Sequence, residues 1–212
     1  MADYSTLVFT LQVFLVMRKD LWYDDQNALE AIMEQTLTVN GVPYKVVMLL
    51  GHGKGGYSYL AEKDSRQYVI KQIHHEPCSY YTFGNKIESE WNDYRRLTDA
   101  HIPMPQLLEI DWEQERILKE YIPGPTIYAL AKEDRVKPMY FDQVRHMAWQ
   151  AQQAGLNLDY FPTNFVVCDN RLYYVDYECN LYDPKWNFEN WGNDYWWKSQ
   201  AFQDYVNHRA DI

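Results

Sequence analysis

Four short residue clusters follow one another in a fixed order, and the order constrains the fold more than any single cluster does. They are Gly51-His52-Gly53-Lys54-Gly55-Gly56, Tyr68-Val69-Ile70-Lys71, Asp159-Tyr160-Phe161-Pro162-Thr163-Asn164 and Val175-Asp176-Tyr177-Glu178. Taken alone, a glycine cluster is often a hairpin turn, and Asp and Asn are ordinary turn residues. Taken in order, they supply a cover for phosphates, a lysine closing an apolar strand, a carboxylate with an amide, and a second carboxylate. A fold that gathers them sets a β-rich first half against a second half carrying the last two clusters.

Gly51, Gly53, Gly55 and Gly56 lack Cβ atoms, so their N–H groups can approach phosphate oxygens closely. A strand precedes the cluster and another strand, not a helix, follows it. That context argues against a dinucleotide fingerprint, and the Gly-Lys-Ser/Thr of a Walker loop is absent. Lys71 can reach α- and β-phosphates if a carboxylate of the next helix holds it. Glu88 and Glu90 are both available there. Glu90 is favoured, because Tyr94 and Leu97 at i+4 and i+7 place it beside the core-facing stripe. Asp159 can orient or deprotonate an attacking hydroxyl. The amide oxygen of Asn164 suits Mg²⁺, and Asp176 can bridge that ion to phosphates. Between the halves, Glu120-Tyr121-Ile122 offers the backbone groups of Glu120 and Ile122 to adenine. Lys119 falls where an apolar side chain would back the adenine, so its stem is expected to snorkel outward, or the register is off by one.

The expected fold class is α+β, with residues 1–42 an N-terminal extension, 43–122 a β-rich lobe and 123–212 a small helical lobe. Strands are expected over 43–50, 57–61, 67–73, 107–112 and 115–121, with a helix over 86–100. Pro123-Gly124-Pro125 marks the boundary, since it continues neither strand nor helix. Beyond it come a helix over 141–154, a hairpin over 165–175 turned at Asp169-Asn170, and a helix over 195–208. The aromatic residues from Trp186 to Tyr205 are expected to fill the second lobe, the alternative being a docking patch for a protein partner.

The formal net charge of −10 excludes nonspecific binding to a nucleic-acid backbone. The apolar run over 7–17 is too short to span a bilayer, which takes roughly 20 residues, and the expectation is a soluble, cytoplasmic protein. Cys78, Cys168 and Cys179 show no metal-ligand spacing and read as reduced packing residues. His74-His75-Glu76 is a poor metal motif, because adjacent strand residues point in opposite directions.

On these residues the chain, from about Tyr44 to Tyr182, resembles the protein-kinase-like superfamily. The segment from Leu118 to Thr126 is similar to the connector of the small atypical kinases, the RIO group and the kinase of the tRNA threonylcarbamoyladenosine machinery. Asp176-Tyr177-Glu178 is similar instead to the metal motif of aminoglycoside and choline phosphotransferases. The resemblance implies a minimal bilobal kinase-like fold, ATP and Mg²⁺, and a hydroxyl-bearing protein or small-molecule acceptor. It implies Lys71 and Glu90 as the phosphate-pairing couple, Asp159 as catalytic aspartate, and Asn164 and Asp176 as metal ligands. Asn157 and Leu158 depart from the family pattern before the catalytic aspartate, and Glu178 replaces its glycine. Asn157 adds weight to a nucleotide-binding pseudokinase with an idle site, and the presence of Lys71, Asp159, Asn164 and Asp176 counts against it.

Overall fold

The computed structural model describes residues 36–76 and 84–210. The apolar run over 7–17, the short helix expected over 28–35 and Cys78 lie outside them. The fold is α+β: ten strands, four α-helices and three 3-10 turns among the described residues.

The first half is one antiparallel sheet. Its strands are β1 Thr36–Val39, β2 Val42–His52, β3 Gly56–Lys63, β4 Arg66–Ile73, β5 Leu107–Asp111 and β6 Arg116–Glu120, in the order β1-β2-β3-β4-β6-β5. Two of its turns, Asn40-Gly41 and Asp64-Ser65, have positive φ at both residues. That is the tight hairpin turn whose twist matches its strands. Residues 36–41 therefore belong to the sheet, and the expected boundary at 42/43 falls inside a hairpin.

Two register shifts in β2 bend it, after Val46 and after Leu49, as bulges do. The sheet curls until β1 meets β5 and β6. Asn40 N–H donates to Asp111 Oδ2 (2.7 Å) and Arg116 donates to the Thr38 carbonyl (2.7 Å), closing this half-barrel. Alternation then sorts the side chains. Leu37, Val39, Tyr44, Val46, Ala61, Ile70 and Leu118 fill the inside of the curl. Lys71, paired with Ile117, and Lys119, paired with Val69, share the other face.

That second face is covered by helix α1, Lys86–Asp99, capped by Asn85 accepting from the Glu88 amide. Ile73, Ile87, Ile117 and Tyr177 form the core between sheet and helix. The connector then turns at Gly124, whose φ of +151° and close approach to the Val167 carbonyl exclude any side chain.

The second half holds α2 Ile127–Lys132, α3 Pro138–Gln153, β7 Leu156–Leu158, the hairpin β8 Phe165–Cys168 and β9 Arg171–Tyr174, β10 Cys179–Leu181 and α4 Gln200–Ala210. Tyr140, Val144, Met147 and Ala151 are the buried stripe of α3. The helix expected over 195–208 begins only at Gln200. Before it the chain makes a 3-10 turn, Gly192–Tyr195, and Trp196 is buried with its indole N–H donating to the Tyr160 carbonyl (2.8 Å). A fully buried indole needs that partner, and reaching it breaks the helical path. Among the described residues no helix is long and apolar enough to cross a membrane.

Candidate active site

Strand β4 delivers Lys71 to the face covered by α1, where its ammonium forms an ion pair with Glu90 and lies 3.4 Å from Asp176 Oδ1. Glu90 follows Ile87 by one turn, so the stripe that buries the helix also aims this carboxylate at the sheet. Glu88 instead gives its backbone N–H to the Asn85 cap. Burial pulls the Lys71 pKa down, but Asp176 and Glu90 outweigh it and the net shift is upward. Burial raises Glu90 despite Lys71, and its Oε2 is buried without a hydrogen-bond partner. Burial also opposes ionisation of Asp176, yet Lys71 and Lys119 hold its carboxyl below the usual range.

Lys119 neither snorkels nor slips in register. It is buried, its Nζ donates to the Val175 carbonyl (2.6 Å) and lies 4.6 Å from the Tyr177 ring centroid. Burial and the nearby Lys71 charge push its pKa down to about 8. Strand alternation explains its direction, because Lys119 is two residues from Ile117 on the covered face.

The second half brings its clusters together through backbone contacts. Asn164 C=O accepts from Val175 N–H (2.9 Å), placing it beside Asp176. Asn164 Nδ2 donates to the Asp159 carbonyl (3.3 Å), which turns its Oδ1 away from that contact. Asp176 Oδ1 takes the Tyr177 amide (2.8 Å), while its Oδ2 takes no hydrogen bond from the described residues. Asn164 Oδ1 accepts from the Thr163 hydroxyl at 3.4 Å, a contact long enough to yield, and it and Asp176 Oδ2 are hard oxygen donors that fit Mg²⁺. Tyr174, which sequence reasoning passed over, accepts from Asp159 N–H (3.2 Å) and donates to the Glu178 carbonyl (2.7 Å). It ties the two clusters together, and nothing in its sequence context marks it out. Burial pushes the Asp159 carboxyl up, against the Phe161 amide it accepts from (3.1 Å); Asp176 and Glu178 add to the rise.

The glycine segment covers the Lys71 cluster. A Cβ at Gly55 would lie 3.6 Å from both Lys71 Nζ and Glu90 Oε1, and Gly51 and Gly53 face open space. Gly56 differs: a Cβ there would strike the Gln72 carbonyl, so its glycine serves the β3–β4 pairing. The segment is tethered by Lys54, whose Nζ meets Glu178 Oε1 at 2.8 Å, and by Lys86, which donates to the Lys54 carbonyl (3.1 Å). Asn157 is buried in β7 and donates to the Asp183 carbonyl (2.7 Å), away from Asp159. In the connector, Glu120 N–H is taken by the Gln106 carbonyl (2.9 Å), and Ile122 has no backbone partner among the described residues.

A scan of protein-family models gives no match to this chain, and comparison with curated proteins gives none either. What the site does is therefore read from its residues and geometry.

Proposed function

We propose that the chain is an ATP- and Mg²⁺-dependent phosphotransferase with a minimal two-lobed, kinase-like fold, whose acceptor is a Ser or Thr hydroxyl of a protein. The observation that carries this reading is the buried Lys71 ammonium held between Glu90 and Asp176, three residues from distant parts of the chain. A lysine kept charged in this way has a free valence for phosphate oxygens, and the open-topped glycine segment lies directly over it. Asn164 and Asp176 would hold Mg²⁺, which offsets phosphate charge when bound. Lys71 pairs with the phosphate oxygens and Glu90 fixes its position. Asp159 accepts the proton of the acceptor hydroxyl as its oxygen bonds to the γ-phosphorus and the bond to ADP breaks. Tyr174 holds the Asp159 backbone in place of the residue that the family pattern has at Asn157.

A small-molecule acceptor is the second reading. Asp176-Tyr177-Glu178 favours it.

Transfer of labelled γ-phosphate, first to protein extracts and then to small alcohols, tests the proposal. Asp159→Asn keeps shape and removes the base, so turnover should fall by roughly two orders of magnitude or more while ATP binding stays near normal. Wild type and Asp159→Asn that are equally silent on every acceptor while still binding ATP would make the site an idle one.

A further inference from the structure

On the face of the sheet opposite Lys71, the rim of the glycine segment carries a cluster that the phosphotransferase reading does not use. Among the described residues, one group of three metal-ligating side chains has a ligand atom from each within 4.8 Å of the others: His52, His74 and Glu76. Strand register explains why they meet. His52 pairs with Tyr57 and Tyr57 with Gln72, so all three share a face, and His74 follows Gln72 by two residues. The His52 and Tyr57 rings stack at 4.2 Å, and the His74 ring lies 5.2 Å from Tyr57 and 5.3 Å from His52.

We propose that His52, His74 and Glu76 form a binding site for a divalent first-row transition ion of the Zn²⁺ class, separate from the Mg²⁺ pair at Asn164 and Asp176. The donors match that class: two imidazole nitrogens and one carboxylate, a set that leaves a fourth position open to water. The spacing matches as well. His52 Nε2 and Glu76 Oε2 are 3.6 Å apart, against the edge of about 3.4 Å set by tetrahedral bonds of this kind.

The outer contacts are those that such ligands require. A metal-bound histidine almost always gives its other ring N–H to a carbonyl or carboxylate. His74 Nε2 lies 2.9 Å from the Gly53 carbonyl, and its Nδ1 accepts from the Glu76 amide (3.2 Å). With Nε2–H donating, Nδ1 is unprotonated, and its one lone pair turns to the ion when the long Glu76 amide contact opens. The Glu76 carboxylate is oriented in turn by the Tyr57 hydroxyl, which donates to Oε1 at 2.6 Å and leaves Oε2 toward His52. That hydroxyl is the main reason the Glu76 carboxyl sits below its usual range. His75 points away and contacts Glu115 at 2.5 Å, as alternation requires. The missing third ligand was His52, from a strand that no local motif connects to His74. Because the outer partner of His74 is Gly53, an ion here also fastens the first arm of the glycine segment to the end of β4.

The test is calorimetric titration of the full chain with ZnCl₂ in the presence of millimolar Mg²⁺. Wild type should show a Zn²⁺ site that Mg²⁺ does not compete for. His52→Ala, His74→Ala and Glu76→Gln should each weaken it by about tenfold or more, and Tyr57→Phe by about tenfold through loss of the outer contact. His52 and Glu76 are exposed and Tyr57 and His74 half-buried, and unchanged melting without metal would show the variants to be folded. Zn²⁺ affinity that is the same in wild type and in His52→Ala/His74→Ala would overturn the proposal. So would wild-type Zn²⁺ binding no tighter than that of Mg²⁺; the cluster would then be a solvent-exposed His–Glu pair.

Discussion

Two lysines that both favour ionisation of Asp176 have opposite standing, and that difference is testable residue by residue. Lys71 neutralises Glu90 and Asp176, so Lys71→Met leaves two partly buried carboxylates facing each other and should destabilise the fold by about 2 kcal/mol or more. Among the described residues Lys119 has the Val175 carbonyl and a ring face as direct partners. Lys119→Met should therefore cost less than about 1 kcal/mol, or stabilise. The two can be compared by urea denaturation. Their pH dependence differs too. Folded Lys119 releases its proton near pH 8, whereas its unaltered value is 10.5. Below pH 8 both states hold the proton and the penalty for burying the charge is complete. Between pH 8 and 10.5 the unfolded chain binds more protons, so the folded state gains as pH rises. Wild type should therefore gain on Lys119→Met by about 3 kcal/mol across that window. A constant difference between them would show that Lys119 is not buried as an ammonium. Sequence reading placed Lys119 on the right strand, but only the packing of α1 and Tyr177 on the sheet made its face an enclosed one.

Among elements, the glycine segment divides into positions with different jobs. Gly56→Ala pushes against the Gln72 backbone and should destabilise by about 1–3 kcal/mol. Gly51→Ala and Gly53→Ala meet open space and should change stability by less than about 0.5 kcal/mol. Gly55→Ala is accommodated at ordinary contact distance above Lys71, so melting should hold while nucleotide affinity falls, because the methyl takes the room that phosphates would use. Equal melting for Gly56→Ala and wild type would remove the structural role given to Gly56. The sequence distinguishes none of these, since all four are glycines in one run. It was informative where period or turn chemistry was strong: the alternation in β3 and β4, the stripe of α1, and the Asp169-Asn170 turn. It failed for β7 and β10, three residues each. Leu156-Asn157-Leu158 is buried throughout and shows no alternation to read. Strand β1 was missed because its pairing depends on the Asn40-Gly41 turn, and Gly41 reads in sequence as the end of the N-terminal extension.

At the scale of the whole molecule, the two halves are joined by polar contacts. Asp93 of α1 accepts from the Cys179 amide (3.3 Å), the Tyr177 hydroxyl donates to the Pro105 carbonyl (2.9 Å), and Lys54 reaches Glu178. The aromatic C-terminal segment is mixed: Phe188, Trp196 and Phe202 are buried, whereas Trp186 and Trp197 are about half exposed. The order of the four clusters was legible from the start. Their convergence was not, because it depends on a sheet that curls and on Tyr174 linking Asp159 to the Glu178 backbone. The central claim is that this convergence makes a nucleotide site, and calorimetric titration of wild type with ATP and Mg²⁺ tests it most directly. Saturable binding is expected, together with a rise in melting temperature of roughly 5–10 °C at ATP a hundredfold above its Kd, and both should be weakened in the stable Gly55→Ala variant. No binding heat and no change in melting at millimolar ATP with Mg²⁺ would contradict the account.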